Sequence, residues 1–100
     1  MATILIIDDQ LTSRQILQQL VSSIEENLTV KAFANPVEAL QWTESNTFSL
    51  VLTDYKMPEM NGIEFIKRLR SNPALTHIPV IMVTSIGDKN VRYEALEVRP

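Results

Sequence analysis

The sequence predicts an α/β fold in which helices cover both faces of a parallel sheet. Short β-branched or apolar runs alternate along the chain with longer stretches whose apolar residues recur at helical spacing. This alternation predicts βαβ units, and because their connections are right-handed, the helices should cover both faces of one sheet. We therefore expect one doubly wound α/β domain over residues 1–100.

Four segments are predicted to be β-strands: Thr3 to Asp8, Thr29 to Phe33, Ser49 to Asp54 and Ile78 to Thr84. The first, third and fourth are nearly continuously apolar, which is typical of strands that are covered on both faces.

The first predicted helix follows the first strand and begins near Thr12. Thr12 and Gln15 have the spacing of a capping box, in which each side chain bonds a free backbone N–H group at the helix start. The helix should bury a single apolar stripe. That stripe consists of Ile16, Leu17, Leu20, Val21 and Ile24.

Three further helices are predicted from their starting signals. Asn35 and Pro36 are a capping residue and a first-turn proline for the second helix. Asn61 and Glu64 open the third helix in the same manner, and a last helix is expected from about Asp88.

Composition argues against several classes of function. The net charge is −3 and the nine Lys and Arg residues are scattered, whereas binding to a phosphate backbone needs clustered basic residues. No apolar run approaches the ~18 to 20 residues that span a bilayer, and we expect no signal peptide. The chain has no cysteine, so packing must stabilise it. We expect a cytoplasmic protein that binds neither nucleic acid nor membrane directly.

Three predicted strands end in polar residues at the edge of the sheet where α/β proteins bind ligands. These residues are Asp8 with Asp9, Asp54, and Thr84 with Ser85. Two carboxylates ~4 Å apart repel by about 4 kcal/mol at an effective dielectric constant of about 20, so the cluster needs a proton or a cation. Ligands that are all oxygen atoms favour a hard ion, and a few carboxylates suit Mg²⁺ better than Ca²⁺.

Each of these residues also has an ordinary structural explanation. Aspartates after a strand often cap the next helix, a polar residue commonly ends a strand, and hydroxyl groups are common in strand-to-helix loops. The predicted cap at Thr12 and Gln15 leaves Asp8 and Asp9 without a capping role, which favours the metal site over the structural explanation.

The most specific motif is the segment 54–62, which reads DYKMPEMNG. It resembles the phosphorylation-site loop of the response-regulator receiver domains of two-component systems, with an aspartate at a strand end, Met-Pro three residues on, and then Met-x-Gly. The pair Asp8-Asp9 and the residue Thr84 also lie where that family has its metal-binding and switch residues. The resemblance covers the whole chain.

This resemblance implies a flavodoxin-like receiver fold with strand order 2-1-3-4 and a phosphorylation-dependent switch. Asp54 would accept a phosphoryl group from a sensor histidine kinase or a phosphotransfer protein. Asp9, Asp54 and the main-chain carbonyl of Lys56 would bind Mg²⁺, and Asp8 would act through water. Thr84 would donate its hydroxyl to the phosphoryl group and change a surface that binds an output domain or target protein. The domain would assist its own phosphorylation and dephosphorylation, but it would not be an enzyme.

Receiver domains resembling this chain continue through a fifth strand that ends in Lys-Pro and a fifth helix, which residues 1–100 do not include. We therefore expect residues 1–100 to be a C-terminally incomplete receiver domain without the family's phosphoryl-binding lysine. The fourth strand would then be an exposed apolar edge, and such edges pair with other chains. A partner protein, a dimer or strand exchange is expected at that edge.

Two other functions are compatible with part of the pattern. A pseudo-receiver would keep the fold and bind partners without phosphorylation, which the absent lysine favours and the retained carboxylates oppose. A magnesium-dependent phosphatase of the haloacid-dehalogenase type also forms an aspartyl phosphate. Its Asp-x-Asp signature is absent, however, because Tyr55 and Lys56 follow Asp54.

Overall fold

The computed structural model describes residues 2–83, which form a parallel four-stranded sheet with helices on both faces. The strands are β1 (Ala2–Ile7), β2 (Leu28–Phe33), β3 (Leu50–Asp54) and β4 (Val80–Val83). The helices are α1 (Leu11–Ile24), α2 (Pro36–Thr43) and α3 (Gly62–Arg70), and a 3₁₀ turn spans Pro73–Leu75. The order β2-β1-β3-β4 confirms the predicted doubly wound topology. The helix predicted from Asp88 lies outside the described residues.

The register of the sheet aligns the ends of its strands. β1 pairs with β2 along its whole length and with β3 over its last four residues. β3 pairs with β4 from Val51 opposite Val80 to Asp54 opposite Val83. Because all the pairs are parallel, the carboxyl ends of β1, β3 and β4 lie side by side at one edge.

Two hydrophobic cores lie on opposite faces of the sheet, because the side chains of β1 alternate between them. Leu5 and Ile7 belong to the larger core. Helices α2 and α3 complete this core, which also contains Ala39, Phe48, Val51, Met60, Phe65, Leu69 and Ile78. Ile4 and Ile6 belong to the smaller core, in which Val21 is the only buried residue from α1.

The predicted apolar stripe of α1 is only partly buried. Leu17 and Val21 pack against the sheet as expected. Ile16, Leu20 and Ile24 are 59%, 58% and 71% exposed, so the prediction is wrong for these three residues. The reason is that α1 packs on β1 and β2, and no described element covers the side of α1 that is turned away from them.

The predicted cap of α1 is also wrong. The helix begins at Leu11, so Thr12 and Gln15 lie inside it and Gln10 occupies the N-cap position without a side-chain capping bond. Instead, Oδ1 of Asp8 accepts a hydrogen bond from the backbone N–H of Gln10 at 2.9 Å. An aspartate therefore supports the start of α1, which is the structural explanation that the sequence had seemed to disfavour.

The other two predicted caps are confirmed. The side chain of Asn35 accepts from the N–H of Val37 at 2.8 Å, with Pro36 in the first turn of α2. Asn61 and Glu64 form a capping box at the start of α3. None of the helices within residues 2–83 is long and apolar enough to cross a membrane.

The strand ends differ from the prediction by a few residues. β1 ends at Ile7, but the N–H of Asp8 still donates to the carbonyl of Phe33 at 3.1 Å. β4 begins at Val80, two residues later than predicted, although the carbonyl of Pro79 already accepts from the N–H of Val51 at 3.1 Å.

Candidate functional site

The described residues contain one group of acidic side chains with the geometry of a metal site. Asp8 and Asp9 follow β1, and Asp54 ends β3, so the parallel pairing of these strands brings them together. One carboxylate oxygen from each of the three lies within 4.8 Å of the others. Oxygen atoms of this number and spacing fit a hard divalent cation, as the sequence predicted.

Asp8 is buried, and most of its polar atoms have fixed partners. Its N–H donates to the carbonyl of Phe33, its Oδ1 accepts from Gln10, and its main-chain carbonyl accepts from Nη1 of Arg14 at 2.8 Å. Both the backbone and the carboxylate of Asp8 are therefore held by the sheet and by the first turn of α1. Such restraint orients the side chain before any ligand arrives.

Asp54 is more accessible than Asp8. One of its carboxylate oxygens, Oδ1, accepts from the N–H of Tyr55 at 2.8 Å, and its main-chain carbonyl accepts from the hydroxyl of Thr53 at 3.0 Å. No bond to Oδ2 of Asp54 occurs within the described part of the chain. That oxygen is available to a metal ion or to an electrophile.

Without a metal ion, full ionisation of the three carboxyl groups in the site is unfavourable. Burial raises the pKa of Asp8 and of Asp54 above the usual carboxyl value. The backbone hydrogen bond that each carboxylate accepts opposes this rise, whereas the charge of Asp9 adds to it for both residues. The three carboxylates therefore repel one another, and a cation bound among them would remove that cost.

The loop from β3 to α3 approaches Asp54 so closely that it needs a glycine. A Cβ atom on Gly62 would lie 2.5 Å from the main-chain oxygen of Asp54, and the N–H of Gly62 donates to the carbonyl of Tyr55 at 2.8 Å. Lack of space for a Cβ atom is therefore the reason for glycine at position 62, and the positive φ of the loop, 73°, belongs to Glu59.

The acidic group lies in an open cleft of about 750 Å³ between the end of the sheet and α1. Its lining residues are Asp8, Asp9, Gln10, Ser13, Ile16, Leu17, Asp54, Tyr55, Lys56 and Val83. Lys56, whose main-chain carbonyl is expected to bind the metal ion, is one of these lining residues. Thr84, the predicted switch residue, lies outside the described residues.

Arg14 was not recognised from the sequence as part of this site. It is the fourth residue of α1, and its guanidinium group reaches back to the carbonyl of Asp8. A usable signal was present, because a cation near the N-terminal end of a helix opposes the helix dipole and indicates a nearby negative charge.

A parallel sheet with this strand order and carboxylates at the ends of its central strands is typical of α/β domains that work at that edge of the sheet. A sequence model described as "Response regulator receiver domain" matches residues 4–99. The chain therefore belongs to the response regulator receiver domain family, whose members are regulatory domains of two-component signalling. The resemblance seen in the sequence is confirmed.

Individual relatives are consistent with this assignment. The chain is 43% identical over 94 residues to the cyclic di-GMP phosphodiesterase response regulator RpfG of Xanthomonas campestris, covering 94% of this chain but only 25% of that protein. It is 35% identical to chemotaxis protein CheY-3 of Vibrio cholerae over 94% of this chain and 72% of that protein.

Solved structures have the same fold. The chemotaxis response regulator CheY4 of Vibrio cholerae matches with a TM-score of 0.87 and 28% identity, over 98% of this chain and 80% of that one. A putative response regulator from Chloroflexus aurantiacus matches with a TM-score of 0.90 and 28% identity, over 97% of this chain and 78% of that one.

Proposed function

We propose that this chain is a phosphorylation-dependent signalling switch in which Asp54 is the phosphoacceptor. The observation that carries the proposal is the position of Asp54, whose carboxylate lies at the end of β3 within 4.8 Å of two other carboxylates. Membership of the receiver family supports the same role. Further support within the site is that Oδ2 of Asp54 accepts no hydrogen bond from the described residues.

The chemical step is a transfer from a phosphohistidine of a sensor kinase or phosphotransfer protein. A carboxylate oxygen of Asp54 forms a bond to phosphorus while the P–N bond of the phosphohistidine breaks and the imidazole leaves. The product is an acyl phosphate on Asp54. Since a carboxylate is a weak nucleophile, the site contributes mainly by positioning Asp54 and by offsetting charge.

Mg²⁺ is the cofactor that fits the donor atoms. Asp9, Asp54 and the main-chain carbonyl of Lys56 would bind it, and Asp8 would act through water. Bound there, the ion supplies positive charge that offsets both the carboxylates and the incoming phosphoryl group. The burial of Asp8 and its fixed backbone suit a residue that orients water.

We further propose that Thr84 donates its hydroxyl to the phosphoryl group. This bond exists only in the modified state, so it biases the adjoining segment between two arrangements. The output is a changed surface for an output domain or target protein in the cytoplasm.

Residues 1–100 act, in this proposal, as one receiver domain. The chain spans a quarter of the length of its Xanthomonas relative. Among the described residues, β4 pairs on one side only, with β3. The side of β4 that pairs with no described residue is the proposed place for a dimer contact or strand exchange.

Incubation with acetyl phosphate and Mg²⁺, read by intact mass, tests the phosphoacceptor role. The wild-type chain should gain the mass of one phosphoryl group, and Asp54→Asn should gain none. EDTA should abolish the gain, and Asp9→Asn should reduce it at least tenfold. Glu44→Gln, an exposed carboxylate substitution away from the site, should behave as wild type.

The alternatives give different results in the same experiment. A pseudo-receiver would bind its partners but show no adduct in wild type. A phosphatase of the haloacid-dehalogenase type would release phosphate from p-nitrophenyl phosphate over many turnovers, which a phosphoacceptor domain does not do. An adduct that persists in Asp54→Asn would refute the assignment of Asp54.

A further inference from the structure

The side chain of Arg14 connects α1 to the acidic site through the backbone. Its Nη1 donates to the main-chain carbonyl of Asp8 at 2.8 Å, and its own N–H donates to the carbonyl of Gln10 at 3.0 Å. The N–H of Gln10 in turn bonds the Asp8 carboxylate. Arg14 thus closes a ring of bonds around the turn that presents Asp8.

The location of this cation is not explained by the helix alone. Arg14 lies near the N-terminal end of α1, where a positive charge opposes the helix dipole. The first turn of α1 contains no acidic residue that could pair with it. The guanidinium group of Arg14 instead lies beside Asp8, and its positive charge opposes the rise that burial causes in the pKa of that carboxyl group.

We propose that Arg14 is the resident counter-charge of the metal site, which stabilises the metal-free cluster and weakens the binding of the divalent cation. This inference rests on the proposed function, because it takes the cluster to be a Mg²⁺ site. Among the described residues, the side chain of Arg14 bonds the main-chain carbonyl of Asp8 and not a carboxylate, so its influence on the ion would be electrostatic.

An electrostatic role and a purely structural role of Arg14 predict opposite changes in Mg²⁺ affinity when the residue is replaced. Two positive charges near one cluster repel each other, so removing the charge of Arg14 should strengthen Mg²⁺ binding even though the metal-free protein becomes less stable. This repulsion is reciprocal, so bound Mg²⁺ should destabilise the charged Arg14 by as much as Arg14 weakens Mg²⁺ binding. A residue that only held the loop in place would weaken Mg²⁺ binding when replaced.

The test compares Arg14→Gln with Arg14→Lys, which keeps the charge, by calorimetric titration with Mg²⁺ and by thermal melting in EDTA. Arg14→Gln should lower the Mg²⁺ dissociation constant about threefold to tenfold, because like charges near one another repel. It should also lower the melting temperature in EDTA. Arg14→Lys should stay within about twofold of wild type in affinity. High salt should shrink the difference between the variants.

Two further variants keep the test decisive. Arg14→Met retains the apolar stem and should behave as Arg14→Gln, and Arg68→Gln on α3 should leave Mg²⁺ affinity unchanged. Weaker or equal Mg²⁺ binding by both neutral Arg14 variants would overturn the proposal. A wild-type chain that binds Mg²⁺ but accepts no phosphoryl group would overturn the proposed function and leave the role of Arg14 intact.

Discussion

Burial of Asp8 places a carboxylate where its ionisation opposes folding. The pKa of Asp8 in the folded chain is raised above its ordinary value of 3.8. The folded state therefore binds more protons than the unfolded state between those two pKa values, and stability falls as the pH rises through that window. Above this pH window Asp8 is ionised in the folded state as well, and the full free-energy cost of burying its charge remains.

Asp8→Asn should therefore stabilise the metal-free protein at neutral pH. The asparagine oxygen can still accept from Gln10, so the substitution removes charge but keeps the bond. We expect a higher melting temperature than wild type at pH 7 in EDTA, and a difference that shrinks toward pH 3.8. Saturating Mg²⁺ should reverse the order, because wild type then gains a ligand-linked stabilisation. An advantage of Asp8→Asn that does not vary with pH would contradict this account.

A second prediction at the level of single residues concerns Gly62. Its missing Cβ leaves room for the carbonyl of Asp54, and an alanine there would need the backbone to move. Gly62→Ala should destabilise the protein by about 1–3 kcal/mol in urea unfolding, as overpacking does. It should also slow phosphorylation, since Asp54 itself would shift. Ser22→Ala, at an exposed helical position, serves as the control and should change neither quantity.

At the level of elements, helix starts show what a local pattern can predict. The caps of α2 and α3 were predicted correctly because they are local. Asn35 and Asn61 each directly precede a helix and accept a hydrogen bond from a backbone N–H in its first turn. The box at Thr12 and Gln15 has the right spacing but lies inside α1. The start of α1 is set by Asp8 and by the sheet, and those tertiary partners are not visible in a local motif.

The capping box of α3 is expected to carry measurable stability. Asn61, within the segment 54–62, accepts from the N–H of Glu64 at 2.9 Å. Asn61→Ala should lower the free energy of unfolding by about 1 kcal/mol, whereas Asn61→Asp, which keeps an acceptor, should lose little. If both variants lose the same free energy of unfolding in chemical denaturation, the side-chain acceptor at position 61 contributes nothing to stability.

At the level of the whole molecule, topology was more predictable than burial. Periodicity located the four strands of residues 2–83 and the three helices between them, and right-handed crossovers fixed their faces. Burial on α1 was not predictable in the same way. The spacing of Ile16, Leu20 and Ile24 indicates an apolar face, but whether a second element lies against that face depends on the rest of the fold.

The described fold consequently exposes apolar side chains on one side of the sheet. Ile16, Leu20 and Ile24 of α1 are open to solvent, as are Ile81 and Val83 of β4 at 52% and 38%. Ile16 and Val83 line the same cleft, so these residues belong to one side of the molecule. Apolar surface of this kind is typical of a contact region.

Replacing part of this face should reduce self-association without unfolding the chain. Leu20→Gln with Ile24→Gln removes two of its most exposed side chains, which are 58% and 71% accessible. Surface changes of this type alter stability by about 0.5 kcal/mol or less, so thermal melting should be nearly unchanged. Sedimentation velocity should show less concentration-dependent association, and binding of an apolar dye should fall. Val21→Gln on the same helix is the control, because it buries a polar group and should destabilise by about 2 kcal/mol. Unchanged sedimentation of the double variant, beside an associating wild type, would mean that the contact lies elsewhere, and the free side of β4 would be the next place to alter.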